Sequence, residues 1–368
     1  MKIAFVTNTC WNIYNFRKGL ALHFIEEGHE VIALAPRDKY TEEIEKWGIR
    51  FIETPLDGTG VNPLKDAAYL LQLIKVFKNE KPDISLSYTI KSNIYSSLAG
   101  KVSKVSTICN VSGLGTTFLV KGMVGKLAIR LYKTAFKYSH FIFFQNEDDE
   151  KLFTSIVKVA QERRDILPGS GIDLQCFSYS KLEVGAKTNF LMISRLIIEK
   201  GVREYAEAAA EFINDSTTSF ALVGRLDESH SRSISRDELE EWKRNGLTYL
   251  DHSDDIAQVI KNHDVIVLPS YREGTPRTLL ESAAIGRPLL TSNVPGCKEV
   301  VSDGFNGYLF EAKSAKSIID KVKLFLSLSD YEKLQLGFNS RKLVEEKFDE
   351  NYVIDKYMNV INRIAHDS

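Results

Sequence analysis

VIVLPSYREGTPRTLLE, residues 265–281, places an apolar run, a short loop and a helix start in immediate succession. Its first four residues predict a buried strand. Thr275 is a good N-cap and Pro276 a good first helical residue, so we expect a helix to begin there. Such a helix would present free backbone N–H groups to the loop, and these groups favour an anion. Glu273 and Glu281 flank the expected anion site.

Two carboxylates beside a phosphate site are explained if each one binds hydroxyl groups. One would then bind a sugar and the other a ribose, on opposite sides of a diphosphate. Two glutamates eight residues apart occur by chance in most proteins. Here the pair follows a predicted strand and spans a predicted helix start, which resembles the E-x7-E motif of the retaining glycosyltransferases with the GT-B fold, family 4. The resemblance implies that Glu273 lies beside the donor sugar and that Glu281 holds the ribose. The nucleotide sugar would also contact Gly274, Thr275 and Pro276.

The composition is that of an ordinary globular protein with room for two cores. The chain has 368 residues, of which 43% are hydrophobic and 26% charged, and this length suits two domains. No apolar run is long enough to span a membrane, and no signal peptide precedes the first apolar run. The four cysteines show neither metal-ligand nor disulfide spacing, so we expect a reduced, cytoplasmic compartment.

Apolar runs alternate with helix-periodic segments along most of the chain, which predicts an α/β fold with parallel sheets and helices on both faces. Residues 16–27, for example, predict a single helix that ends at Gly28. The alternation is interrupted at residues 181–188. We therefore expect two doubly wound, Rossmann-like domains and a final helix, at residues 1–174, 187–350 and 351–368.

In the GT-B fold the two domains face each other across a cleft, and the C-terminal helix crosses back to the first domain. The resemblance implies the same arrangement here. Open α/β sheets bind ligands at the carboxyl ends of their strands. We therefore expect the site in the cleft, with the acceptor on the N-terminal domain and the nucleotide sugar on the C-terminal domain.

Arg195 and Lys200 follow the first predicted strand of the C-terminal half. Arg-x4-Lys alone is commonplace, but two cations on a strand-to-helix loop suit a diphosphate leaving group, and this pair resembles the family's phosphate-binding pair. When the anomeric C–O bond breaks, negative charge develops on the diphosphate, and fixed cations that meet this charge lower the barrier. The resemblance therefore assigns catalytic roles to Arg195, Lys200 and Glu273. Surface cations on a solvated loop are the alternative for the first two.

Two glycines are further candidates for donor contacts. Gly171 belongs to a segment that resembles the family's glycine loop ahead of the second domain, where a glycine would allow close backbone approach to the donor. A plain tight turn is the alternative. Gly224 follows the apolar run of residues 220–223, at a strand end where the nucleotide often lies.

No convincing Asp-x-Asp motif, with which many other transferases hold a metal, occurs in the chain. Residues 147–150 are acidic but fit better as a solvated helix start. We therefore expect metal-independent catalysis with no cofactor. The family resemblance implies a UDP-sugar as the donor substrate.

Candidate acceptor contacts follow the predicted strands of the N-terminal half. Many family members have a glycine pair after the first strand, and much of the family has a histidine where Ser112 stands, so this chain departs from the pattern at both places. Gly113-x-Gly115 lacks the third glycine and the acidic residue of a dinucleotide loop. For Lys91 a solvated lysine is the alternative. The acceptor candidates are Asn12, Asn15, Arg17, Lys91, Ser112 and Gly113.

Within the family, these segments look like a branch of bacterial enzymes that extend lipid-linked oligosaccharides, such as the α-1,3-N-acetylgalactosaminyltransferases that act on undecaprenyl-diphosphate sugars. The resemblance implies transfer of a hexose or N-acetylhexosamine from a UDP-sugar with retention of configuration, in the assembly of a bacterial surface polysaccharide or glycan. A UDP-sugar epimerase of the same fold and a non-catalytic nucleotide-sugar-binding subunit are the alternatives. The donor sugar, the acceptor sugar, the linkage and the oligomeric state stay open.

Charge is distributed unevenly along the chain. Residues 84–146 contain eight Lys and Arg residues and no Asp or Glu. Four of these cations recur at intervals of four, three and four, which places them on one face of a helix beside apolar residues such as Leu119 and Val120. A basic amphipathic helix predicts docking on the anionic inner face of the cytoplasmic membrane. The alternative is that the apolar face packs on the first sheet. The four cations are Lys126, Arg130, Lys133 and Lys137.

Overall fold

The computed structural model describes residues 1–56, 62–114, 123–230 and 232–366, with the side chains of residues 123–128 outside this description. The chain divides into two compact units. The first comprises Met1–Gly171 together with the C-terminal segment that begins at Glu350, and the second comprises Ile172–Asp349.

The first unit is built on a parallel sheet in the order β3-β2-β1-β4-β5-β6-β7. Its central strands β1, β4 and β5 are almost completely buried, as expected for strands covered on both faces. The strands are β1 Lys2–Val6, β2 Glu30–Ala35, β3 Arg50–Glu53, β4 Ile84–Tyr88, β5 Ser106–Val111, β6 Phe141–Phe144 and β7 Arg164–Ile166.

Helices cover both faces of this sheet. Residues 16–27 do not form one helix, as the sequence predicts, because Arg17 has non-helical dihedral angles (φ −132°, ψ 9°) and separates two helices. The helices are α1 Cys10–Phe16, α2 Lys18–Glu26, α3 Thr41–Glu45, α4 Pro63–Glu80, α5 Ile90–Ser103, α6 Met123–Ala135, α7 Glu147–Ile156 and, from the end of the chain, α14 Glu350–His366.

α14 belongs to the first unit although it follows the second unit in sequence. Val353, Tyr357 and Ile361 are buried in the same apolar cluster as Ile3 and Phe5 of β1. The packing of this helix on the first unit is therefore as the resemblance implies, and the helix begins one residue before the predicted start at residue 351.

The second unit has a parallel sheet in the order β10-β9-β8-β11-β12-β13. Its strands are β8 Thr188–Ile193, β9 Thr218–Val223, β10 Leu247–Leu250, β11 Val265–Leu268, β12 Leu289–Ser292 and β13 Gly307–Phe310. Its helices are α8 Val202–Glu211, α9 Arg236–Arg244, α10 Ile256–Lys261, α11 Arg277–Ile285, α12 Ala315–Leu326 and α13 Asp330–Lys347. The carboxyl ends of β8 and β11 are neighbours, which brings their following loops together.

Candidate active site

The loop between β11 and α11 carries the flanking glutamates, but the helix starts one residue later than predicted. Pro276 keeps an extended ψ of 117°, so the first helical residue is Arg277 and Thr275 is not the N-cap. Pro276, now the N-cap residue, has no side chain that could form a capping hydrogen bond.

Lys200 and Glu273 meet at the carboxyl edge of the second sheet, where Lys200 Nζ donates a hydrogen bond to Glu273 Oε1. Gly201 makes this approach possible, because it has φ +73° and a Cβ there would lie 2.2 Å from the carbonyl oxygen of Pro269. The Tyr271 N–H also donates to the Glu199 carbonyl over 2.9 Å. The loops after β8 and β11 are thus joined by backbone packing and by an ion pair.

A third loop, after β12, holds Glu273 from another side. The Glu273 N–H donates to the Pro295 carbonyl over 3.1 Å. Gly296 lies so close that a Cβ there would be 2.4 Å from the carbonyl oxygen of Gly274 and 2.6 Å from the carbonyl carbon of Glu273. The Gly296 N–H donates to Glu299 Oε2 over 2.6 Å. Sequence reasoning missed this loop, although Pro295-Gly296 directly after a strand next to β11 is a usable signal.

Glu281 lies one helical turn after Arg277, whose Nε donates to Glu281 Oε1 over 2.8 Å. The Glu281 side chain is only 13% exposed. Burial raises the pKa of Glu281, and the guanidinium of Arg277 acts in the opposite direction. Sequence reasoning missed Arg277 as the partner, although the i,i+4 spacing could have identified it.

Arg195 differs from Lys200 because its side chain is exposed and forms no ion pair or hydrogen bond within the described part of the chain. It follows β8 directly. Gly224 is required by backbone packing on this segment, since a Cβ at Gly224 would lie 1.9 Å from the carbonyl oxygen of Ser194. The structure therefore brings Arg195 and Gly224 close together, in the loops after the neighbouring strands β8 and β9, and leaves the guanidinium available to a ligand.

Gly171 has a structural explanation that needs no ligand. Its φ is +71°, and a Cβ there would lie 2.4 Å from the Cα of Glu350, at the start of α14. The tight-turn alternative therefore accounts for this glycine.

The acceptor candidates lie around the carboxyl edge of the first sheet in different environments. Asn12 is in α1 and its Oδ1 is buried without a hydrogen-bond partner. Lys91 Nζ lies 2.7 Å from Asp66 Oδ1, so its charge is already neutralised. Asn15, Ser112 and Gly113 are partly exposed, and Gly115 lies outside the described residues.

Arg17 is the most deeply buried of these candidates, with 4% of its surface exposed. Its guanidinium carbon lies 4.1 Å from the ring centroid of Tyr88, the last residue of β4. Asn110 Nδ2 donates to the hydroxyl of Tyr357 over 3.0 Å in the same region. Sequence reasoning missed Tyr88, Asn110 and Tyr357, because nothing in their spacing shows that β4, β5 and α14 meet.

The acidic segment at residues 147–150 starts helix α7, as predicted, but is not fully solvated. Asp149 is completely buried, and its Oδ2 accepts a hydrogen bond from the Leu114 N–H over 3.3 Å. Across the described ranges, no group of three or more His, Cys, Asp or Glu side chains is arranged to hold a metal ion.

The basic helix is α6, and it presents Arg130 and Lys133 to solvent. The prediction that Lys137 shares this helix is wrong, since α6 ends at Ala135 and Lys137 lies in the following turn. Tyr132 is buried in the apolar cluster of the first sheet, which supports the packing alternative for the opposite face.

Part of the basic-helix prediction lies beyond what the structure describes. Leu119 and Val120 fall outside the described residues, and the side chain of Lys126 is not described either. Among the helices of the described ranges, none is both long enough and apolar enough to cross a bilayer.

Comparison with known proteins identifies both units. Residues 16–169 match the glycosyl transferase 4-like domain, and residues 180–342 match the glycosyl transferases group 1.

Relatives and a solved structure extend over most or all of the chain. The chain is 29% identical over 382 aligned positions, and 99% of each chain, to the Campylobacter jejuni N,N'-diacetylbacillosaminyl-diphospho-undecaprenol α-1,3-N-acetylgalactosaminyltransferase. It is 27% identical to the Escherichia coli UDP-Gal:α-D-GlcNAc-diphosphoundecaprenol α-1,3-galactosyltransferase, over 81% of this chain and 82% of the relative. Anabaena HepE in complex with UDP has the same fold, with a TM-score of 0.77, 14% identity and coverage of 100% and 99% of the two chains.

The two parallel, doubly wound sheets and the loop after β11 agree with the matches to both halves of the chain. The chain belongs to the glycosyltransferases with the GT-B fold, family 4.

Proposed function

We propose that this enzyme transfers a hexose or N-acetylhexosamine from a UDP-sugar to a saccharide linked to a lipid diphosphate, with retention of configuration. The observation that carries the proposal is the similarity to the Campylobacter jejuni enzyme, which extends over 99% of both chains and whose name specifies an undecaprenyl-diphosphate acceptor. The Escherichia coli relative is named for a UDP-galactose donor and an acceptor of the same kind.

The second unit supplies the chemistry for the donor. Arg195 and Lys200 are placed on one loop after β8 and would bind the diphosphate. Because negative charge grows on the leaving phosphate as the anomeric C–O bond breaks, fixed cations stabilise the transition state more than the ground state. This role of the two cations supports metal-independent catalysis with no cofactor, as part of the same proposal.

The two glutamates would bind hydroxyl groups. Glu281 is a buried carboxylate whose Oε1 is engaged by Arg277, which leaves its other oxygen for the ribose. Glu273 would contact the donor sugar, after Lys200 exchanges part of its hydrogen bonding from the carboxylate to the diphosphate. The loop after β12 keeps the Glu273 backbone in place during this exchange, because it accepts the Glu273 N–H.

Retention follows if the acceptor hydroxyl attacks the anomeric carbon on the face from which the diphosphate leaves. The new C–O bond forms as the bond to the β-phosphate breaks. The acceptor proton moves to the departing phosphate oxygen, so no protein base is needed for this transfer.

The first unit would bind the acceptor at the carboxyl edge of its sheet, with Asn12, Asn15, Arg17, Ser112 and Gly113 as the contacts. The same unit carries exposed cations at Arg130, Lys133 and Lys137, none of which forms an ion pair within the described ranges. These cations would dock the protein peripherally on the anionic inner face of the cytoplasmic membrane, beside the lipid diphosphate.

The test is a panel of UDP-sugars incubated with lipid-diphosphate-linked saccharides from bacterial membranes, with and without EDTA. We expect one sugar to be added to one acceptor, detected by mass spectrometry, with an α linkage from an α-linked donor by NMR. Conversion of a UDP-sugar to its epimer without an acceptor would contradict the proposal. Loss of transfer with EDTA, restored by a divalent cation, would contradict metal independence.

A further inference from the structure

Arg17 is a buried cation to which the folded protein provides no counterion. Its Nε and Nη1 are buried and have no hydrogen-bond partner. Among the described residues, the Arg17 guanidinium forms no ion pair with a carboxylate. Buried charges are normally paired and hydrogen-bonded, because leaving them unpaired is costly.

Tyr88, whose ring the Arg17 guanidinium covers, lies just before the N-terminus of a helix. Tyr88 ends β4, and the helix α5 begins two residues later, at Ile90. The side chain of Thr89, the N-cap residue of α5, forms no capping hydrogen bond. An uncapped first turn of a fourteen-residue helix leaves backbone N–H groups and the positive end of the helix dipole directed at the carboxyl edge of the sheet.

The residue between strand and helix is strained. Thr89 has φ +74° and ψ 160°, a region that β-branched residues rarely occupy. Strain of this kind persists where the surrounding structure maintains it, often at binding sites. Here the dihedral angles of Thr89 turn the chain from β4 into α5, next to the guanidinium of Arg17.

Two neighbours limit the alternatives for what Arg17 binds. Lys91, in the first turn of α5, is paired with Asp66, whereas Arg17 has no counterion among the described residues. Tyr88 and Tyr357 line the guanidinium on the protein side, and the hydroxyl of Tyr357 is oriented by Asn110. The unpaired N–H groups therefore require an oxyanion from outside the chain.

We propose that Arg17 and the N-terminus of α5 bind one phosphate group of the lipid-diphosphate acceptor. This inference rests on the proposed function and specifies how the first unit recognises the acceptor: by the phosphate beside the sugar and not by the sugar alone. A guanidinium and a helix N-terminus both complement phosphate oxygens. Because the phosphate supplies the counterion that the fold withholds, binding relieves the cost of the buried charge.

The experiment uses the full-length chain with UDP at saturating concentration, so that the donor site is occupied. Geranyl diphosphate is the probe for the acceptor diphosphate, geraniol controls for the apolar tail, and inorganic phosphate controls for a free anion. Wild-type protein is compared with Arg17→Met, which is similar in size and uncharged, and with Arg17→Lys, which keeps the charge but not the planar fork. Arg50→Met is the matched control, because Arg50 lies in the same unit and is paired with Glu80 and Glu30.

We expect geranyl diphosphate to raise the thermal unfolding midpoint of the wild-type protein and of Arg50→Met, with little effect of geraniol or inorganic phosphate. Arg17→Met should bind geranyl diphosphate at least about tenfold more weakly, with Arg17→Lys between the two. UDP binding by calorimetry should be unchanged in all variants. Without ligand, Arg17→Met should unfold at the same temperature as wild type or higher, since an unpaired buried charge is removed.

Equal binding of geranyl diphosphate by wild type and Arg17→Met would overturn the proposal. A lower unfolding midpoint of both Arg17 variants without ligand would also overturn it, because Arg17 would then be structural. Stabilisation by inorganic phosphate to the same extent would show a free-anion site instead. Failure of the proposed function is distinguishable, since it would appear as absent sugar transfer by the wild-type enzyme while these binding differences persist.

Discussion

Lys200 and Glu273 form an ion pair that joins two strand-end loops of the second unit, with Lys200 Nζ donating to Glu273 Oε1. Their side chains are 19% and 13% exposed, so the pair is largely shielded from solvent. Each side chain therefore orients the other, and a change to either one affects both proposed contacts with the donor.

We expect Lys200→Met and Glu273→Gln each to lower kcat by about two to three powers of ten, since each removes a group that stabilises the transition state. The double variant should lose much less than the product of the two effects, because the residues are coupled. Steady-state transfer assays at saturating donor measure this. Lys243→Met removes an exposed lysine paired with Glu240 and serves as the control. Fully multiplicative losses would show that the two residues act independently.

Glu281 should make UDP binding depend on pH. Its pKa is raised above the ordinary 4.5 because the side chain is buried, and the ionised carboxylate is the better acceptor for ribose hydroxyls. UDP affinity measured by calorimetry should therefore rise as pH increases from about 4.5 through the raised pKa. Glu281→Gln should bind UDP about tenfold more weakly at neutral pH, consistent with loss of a charge-assisted hydrogen bond, and should lose this pH dependence.

The same shift has the opposite sign for stability. The folded protein binds the Glu281 proton more tightly than the unfolded chain, so this group favours folding most at low pH and loses that contribution as pH rises through the raised pKa. The difference in unfolding free energy between wild type and Glu281→Gln should follow this direction. Glu346→Gln, which breaks an exposed i,i+4 pair with Lys342, is the matched control. Identical pH profiles of UDP binding in wild type and Glu281→Gln would rule out the ribose assignment.

Gly296→Ala should impair transfer through the position of Glu273. The added Cβ would collide with the backbone at Gly274 and Glu273. The alanine would also have to adopt the φ of +88° that Gly296 has. Gly304→Ala is a matched control, because Gly304 has φ +77° and open space around it. We expect roughly 1–2 kcal/mol of destabilisation for Gly304→Ala from backbone strain, with unchanged activity.

Gly296→Ala should be destabilised by about 1–3 kcal/mol more than Gly304→Ala, because of overpacking. It should also lower kcat, while UDP affinity, which depends on Glu281, changes little. Chemical unfolding and kinetics measure the two effects. Equal behaviour of the two variants would show that the loop after β12 does not position Glu273.

The exposed cations of the first unit should control membrane binding. Changing Arg130, Lys133 and Lys137 to Glu should abolish sedimentation with anionic liposomes at moderate salt, since each cation near such a surface contributes about 1 kcal/mol. UDP affinity should stay the same. The control carries the same change of charge on the second unit, at the exposed Lys187, Lys316 and Lys347. Retained sedimentation of the first variant would exclude this surface as the membrane contact.

The sequence predicts the fold class correctly because its strongest signals are continuous apolar runs. Val265–Leu268, for example, forms a strand with the predicted bounds. Arg164–Ile166 was missed, since a three-residue edge strand with two charged residues carries no apolar run. The break at Arg17 was also missed, because the apolar periodicity continues across this residue although its backbone is not helical.

For the site, the sequence identifies which residues follow the strands but not how their loops contact each other. Glu273 and Lys200 are 73 residues apart, and only the neighbouring positions of β8 and β11 in the sheet bring them together. The counterion of Glu281 was visible in the spacing of Arg277, whereas the absence of one for Arg17 depends on burial by β4, β5 and α14. A missing partner has no signal in the sequence.

The position of α14 sets an order for folding during synthesis. Its buried residues complete the core around β1, yet the ribosome releases this helix only after the whole of the second unit. The second unit is continuous in sequence and can reach its native state while the first still lacks part of its core. Until release, apolar positions of β1 and α2 remain exposed to chaperones or to other nascent chains. A stop codon before Glu350 would make that exposure permanent, so we infer that premature termination yields aggregation and not a partly active enzyme.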